Sequence, residues 1–202
     1  MKKNKNRGNT ILHELKHHLP FTLTSSIAAG ILVAIFYLIN KTFFVGVVSN
    51  LFEIMHPAHV FVSAMATAAI YNKYKKSIPK SIFIGMVGAI LIGSLSDVIF
   101  PWVAGNLFSL HTHFHLPIIE KTFFILGVAG IGAAIGSKWN LFNASHSVHV
   151  FISIFASLFY LLTFSVEMNP LTVMLTSLII FLAVYIPCCI SDIIFPLLFV
   201  KK

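Results

Sequence analysis

Six long apolar runs, separated by short polar or charged stretches, dominate the pattern of this chain. They cover residues 20–40, 57–74, 82–104, 117–137, 147–165 and 171–200. Each is near the ~20 residues that an α-helix needs to cross a hydrocarbon layer of ~30 Å. The pattern therefore predicts an all-α integral membrane protein with six transmembrane helices. The stretch 42–55 is also apolar but shorter, and it carries Glu53. It reads as an interfacial or re-entrant helix.

The pattern also repeats. Leu51-Phe52-x-x-x-His56-x-x-His59-Val60-Phe61-x-Ser63-x-x-Ala66 returns ninety residues later as Leu141-Phe142-x-x-x-His146-x-x-His149-Val150-Phe151-x-Ser153-x-x-Ala156. Ser96-Asp97-Val98-Ile99-Phe100-Pro101 returns as Ser191-Asp192-Ile193-Ile194-Phe195-Pro196, and His18-Leu19-Pro20 as His115-Leu116-Pro117. The chain thus divides into a first three-helix repeat, residues 1–110 with a basic leader, and a second, residues 111–202. Together they make one membrane domain.

Basic residues orient the spans. With the N-terminus cytoplasmic, twelve of the fourteen Lys and Arg fall on the cytoplasmic side, and only Lys41 and Lys121 fall outside. That asymmetry is the positive-inside signature. An odd number of spans per copy makes the second copy enter from the opposite face. The expected architecture is therefore 3+3 with inverted topology and both termini cytoplasmic, a layout used by many secondary transporters. The expected location is the cell (plasma or inner) membrane, multi-pass.

Composition supports this picture. The chain has 202 residues, 57% hydrophobic and 10% charged, with a mean hydropathy of +0.91. Soluble domains are near one-quarter charged. The net charge of +8 lies between apolar runs as a topology signal, not on a face suited to nucleic acid, so no nucleic-acid partner is expected. The partners are the lipid bilayer and metal ions or protons, and a homo-oligomer is compatible with the pattern. The two cysteines, Cys188 and Cys189, are adjacent in an apolar run, so no disulfide framework is implied. The leader, residues 1–16, has no small-residue cleavage site at its end and reads as a cytoplasmic entry to the first span.

Candidate chemistry lies in the polar residues that repeat. His-x-x-His puts two imidazoles on one helix face, a usable pair for a borderline cation such as zinc, iron, manganese, cobalt or nickel. That applies to His56 with His59 and to His146 with His149. The bland alternative is imidazoles bridging lipid and water. Pro57 suits a first helical turn, with His56 as the cap.

A proline frees the carbonyl four residues earlier, which here belongs to Asp97 for Pro101 and to Asp192 for Pro196. Each Asp lies ~12 Å inside its helix end, where an ionised carboxylate costs ~2.5–3.5 kcal/mol or more unless paired. The structural alternative is a kink that Asp caps. Ser96 and Ser191 add hydroxyl ligands. His18, His113 and His115 add imidazoles near the span mouths, and Cys188, one turn from Asp192, adds a thiol. The candidate ligands therefore form two nests, one facing each compartment.

The bound or carried species is expected to be a divalent transition-metal ion, and the function a transporter or channel for such cations, without enzymatic activity. No P-loop is present. Two other readings stay open: a membrane-embedded His-rich metalloenzyme of the oxidase or desaturase type, and a His/Asp path for protons or other ions without metal. Gly132-x-x-x-Gly136 reads as a close-packing helix face.

Overall fold

The computed structural model describes residues 20, 22–35, 38–39, 41–139, 142–164, 179–184, 187 and 194–199. Within them the chain is helical, without strands. The elements are α1 (Thr22–Ile35), α2 (Lys41–Lys75), α3 (Ile78–Ser94), a π-helical turn (Leu95–Ile99), α4 (Phe100–Leu107), α5 (Pro117–Glu120), α6 (Thr122–Lys138) and α7 (Phe142–Phe164). Helical residues 179–184 form α8, and Phe195–Leu198 form α9.

Two helical rods, Gly46–Lys75 and Ile78–Leu107, are long and apolar enough to cross a membrane. Large apolar side chains stand on the outside of the molecule, with Phe123 91% exposed and Phe83 67% exposed. Polar groups such as His56, His59, Ser96 and Asp97 are buried. An exterior so rich in large apolar side chains suits an apolar solvent.

α2 is the hub, packing on α3, α6 and α7. Its 35 residues span about 52 Å, and Pro57 lies in its interior. Residues 42–55 are thus continuous with the second apolar run and are not a separate interfacial or re-entrant helix. His56 is likewise mid-helix and does not cap. Pro57 removes the donor to the Glu53 carbonyl, but packing on three neighbours carries the helix through it. The fourth apolar run is broken instead: α5 ends at Glu120, and Lys121 is non-helical (φ −121°, ψ 39°) before α6 begins.

Close packing explains why α2 holds so many partners. A Cβ on Gly132 would collide with the Phe61 carbonyl, and one on Gly136 with the Met65 carbonyl. The expected Gly132-x-x-x-Gly136 face is therefore real, and α2 is what it packs against. The surrounding core is alanine-rich, with Ala64, Ala68, Ala89, Ala129 and Ala133 all buried. A second core, built from Phe52, Val98, Ile154, Leu158 and Leu161 among others, joins α2 to α7.

α2 and α7 run antiparallel. Phe52, early in α2, packs on Tyr160 and Phe164, late in α7, at ring distances of 5.4 and 5.7 Å. Further along α2, His59 meets His149, early in α7.

Candidate functional site

The His-x-x-His of α2 faces the π-helical turn. In an α-helix the Phe100 amide would bond back four residues; here it donates to Leu95 O, five residues back. The turn thus accommodates one extra residue just before Pro101, and Ser96, Asp97 and Val98 inside it are all buried. Such insertions recur at functional sites. Ile194 is also π-helical, like its repeat counterpart Ile99.

Asp97 is the centre. Its Oδ2 accepts from His56 Nδ1 at 2.9 Å and from His59 Nδ1 at 2.6 Å. Its Oδ1 accepts from Ser96 Oγ and from Ser153 Oγ, each at 2.9 Å. Ser157 Oγ donates to Ser96 O at 3.0 Å and ties α7 to the turn. The carboxylate therefore holds four donors, close to its full capacity. All of these residues are buried, at 0–1% exposure.

An ionised carboxylate can only accept, so each imidazole that donates to Asp97 carries its proton on Nδ1. A neutral ring so held offers its lone pair on Nε2. The Nε2 atoms of His56 and His59 are both buried without a hydrogen-bond partner among the described residues. A carboxylate fixing a histidine tautomer in this way is the usual support for a metal-binding imidazole. Three His, Cys, Asp or Glu side chains converging to hold a metal ion do not occur among the described residues, and Asp97 faces the Nδ1 edges of both rings. As the site stands, Asp97 orients the two imidazoles.

The second half of the chain reaches the same place. The His149 ring stacks on His59 at 4.6 Å and 10°, and Ser153 and Ser157 bond to the Ser96–Asp97 segment. Among the described residues, His149 and Ser153 of the second motif thus join His56, His59 and Asp97 of the first, a meeting that the expectation of one nest per compartment did not include. The reason is geometric. His59 and His149 are equivalent positions, and antiparallel helices crossing at equivalent positions bring them into mutual contact, as self-complementary two-fold contacts do.

The loop histidines lie elsewhere. His115 Nδ1 contacts Glu120 Oε1 at 2.9 Å, and Nε2 lies 3.3 Å from Glu53 Oε1, an ion-pair distance without hydrogen-bond alignment. Lys121 Nζ donates to the other oxygen of Glu53. Phe52 separates this cluster from the buried one, stacked on His56 at 5.7 Å and edge-on to His115 at 6.0 Å. His113 is exposed. It contributes through its backbone, with N–H to Phe164 O at 2.9 Å and its carbonyl accepting from Tyr160 Oη at 3.1 Å. The same Tyr160 oxygen accepts from the His115 N–H at 3.2 Å.

Five of the predicted site residues thus belong to the buried cluster: His56, His59, Ser96, Asp97 and His149. His18, Cys188, Ser191 and Asp192 lie outside the described residues, and His146 is described only as part of the α7 backbone. Ser153 and Ser157 were not singled out beforehand. Ser153 stands in the repeated motif one turn after His149, and that matched hydroxyl was the available signal. Comparison with protein-family models, curated proteins and solved structures finds no match, so the functional reading rests on this geometry alone.

Proposed function

We propose that this chain carries divalent transition-metal cations across the cell membrane, as a multi-pass protein of two inverted three-helix repeats with cytoplasmic termini. The observation that carries the reading is the pair of buried Nε2 atoms on His56 and His59, each presented by a bond from its Nδ1 to Asp97. Inverted topology is supported by the antiparallel pairing of α2 with α7 and by the contact between the equivalent His59 and His149.

Electrostatics favours a cation. With its imidazoles neutral, the cluster has one net negative charge, and a buried charge costs several kcal/mol when uncompensated. A divalent ion accepting lone pairs from His56 and His59 offsets that charge. Asp97 then holds the ring orientation and balances the ion's charge from the far side of the rings. The Ser96, Ser153 and Ser157 hydroxyls keep the two halves in register on the carboxylate.

A second reading has its own observation. Asp97 hydrogen-bonds both His56 and His59, and the His149 ring lies against His59, a group of titratable side chains that water could join into a proton relay. The metalloenzyme reading gains less. Although His149 does meet His59, a di-metal centre needs several ligands around a shared position. Asp97 is the one carboxylate that reaches this cluster among the described residues, and both its oxygens are engaged.

Uptake into proteoliposomes across a panel of divalent ions separates these. The expected result is saturable uptake of one or more transition-metal ions, abolished by Asp97→Asn and by His59→Ala and retained in His113→Ala. Uptake that survives Asp97→Asn refutes the proposal. Proton flux without metal uptake supports the relay instead.

A further inference from the structure

A groove at the lysine-rich end of the molecule is built for an amphiphile. It has a volume of about 450 Å³ and lies between the end of α2, α3 and residues of the second half. Lys75 and Lys80 stand at its mouth, and Phe83, Ile84, Val87, Phe195 and Phe199 line it. Lys80, Phe83, Ile84 and Val87 follow helical spacing on one stripe of α3, so the lining passes from ammonium to hydrocarbon within about 10 Å. Both lysines are exposed, and among the described residues neither is paired with a carboxylate and no Asp or Glu lines the groove.

The repeat supplies an internal comparison. A second groove, of about 350 Å³, is lined by Phe100, Ala104, Ile179 and Leu182 among others. These are the repeat counterparts of Phe195, Phe199, Ile84 and Val87. The two grooves thus share their apolar lining. They differ at the mouth, because among the described residues no charged side chain lines the second. Fitting an acyl chain requires only what both have, whereas holding an anionic headgroup requires what only the first has.

We infer that the groove at Lys75 and Lys80 binds one anionic phospholipid, with its phosphate between the two ammonium groups and an acyl chain against Phe195 and Phe199. Basic pockets between membrane helices on the cytoplasmic side take anionic headgroups in this way. A free phosphate would leave the aromatic floor uncovered, and a zwitterionic lipid would bring its own cation to a site that already has two. The inference needs a membrane-spanning chain but does not depend on what the chain transports.

The test uses the full chain, delipidated in detergent and titrated with phosphatidylglycerol or phosphatidylcholine of matched acyl chains, with bound lipid counted by native mass spectrometry. The expected result is one phosphatidylglycerol retained at concentrations where phosphatidylcholine is not. Lys75→Gln with Lys80→Gln should weaken that binding at least about tenfold, at ~1 kcal/mol per lysine. Lys76→Gln with Lys138→Gln removes the same charge from the neighbouring cavity at this end and should change it by less than about twofold.

Equal retention of both lipids, or equal losses from the two lysine pairs, overturns the site. Release of the chain from membranes by alkaline carbonate overturns the membrane reading beneath it. That extraction is scored separately from metal uptake, so the failure of one proposal does not pass for the failure of the other.

Discussion

Replacing Asp97 in two ways separates its structural role from its charge. Asp97→Ala removes the acceptor for four donors, from His56, His59, Ser96 and Ser153, in a region that is 0–1% exposed. Each buried donor left unsatisfied costs ~1–3 kcal/mol. Rotation of the two serine hydroxyls to other acceptors offsets part of that: Ser96 Oγ already lies 3.3 Å from Gly93 O. The imidazole donors have no such second choice on the same edge. The expected loss is therefore ~4 kcal/mol. Asp97→Asn keeps one oxygen for the imidazoles and turns its amide nitrogen toward the hydroxyls, which can accept. Its weaker neutral hydrogen bonds are offset by removal of a buried charge, so its stability should stay within ~1 kcal/mol of the parent. SDS-induced unfolding in mixed micelles measures both. Equal stability of the two variants would show that the carboxylate is not the common acceptor, and an Asn variant less stable than the Ala variant would refute the hydroxyl argument.

Three further outcomes follow from the packing. Cysteines at positions 59 and 149, in a background lacking Cys188 and Cys189, should be joined by a short bifunctional thiol reagent, whereas a pair at 59 and 160 should not; the reverse result would mean that α2 and α7 are not antiparallel. Gly136→Leu places a side chain on the Met65 carbonyl and should destabilise by about 3 kcal/mol or more, above the ordinary cost of overpacking, as read by thermal unfolding in detergent. Tyr160→Phe removes the hydroxyl that bonds the backbone of His113 and His115. It should cost ~1 kcal/mol and speed proteolysis within residues 108–116, with unchanged protection there counting against the contact.

Much of the site was legible because it is written locally. His56 and His59 share a face by helical spacing, and Asp97 is a carboxylate in an apolar run; either fact needs only a few neighbouring residues. Their recurrence in the second half marked them as a set. The continuity of α2 through Pro57 was not legible, since a proline's local cost predicts a boundary and only packing on α3, α6 and α7 outweighs it. The π-helical turn was equally hidden. One inserted residue re-aims Ser96 and Asp97 by roughly a third of a turn, and proline chemistry alone signals a freed carbonyl rather than an insertion.

Hydropathy and repetition, read from the chain alone, determined an all-helical body, its apolar exterior and the identity of the imidazoles and carboxylate at its centre, because each depends on spacing along one helix. The meeting of Asp97 with His56 across 41 residues and of His59 with His149 across 90 was decided by the tertiary structure. Such meetings depend on where two helices cross and how closely, and here the packing of α2 on α3 and its antiparallel pairing with α7 set both.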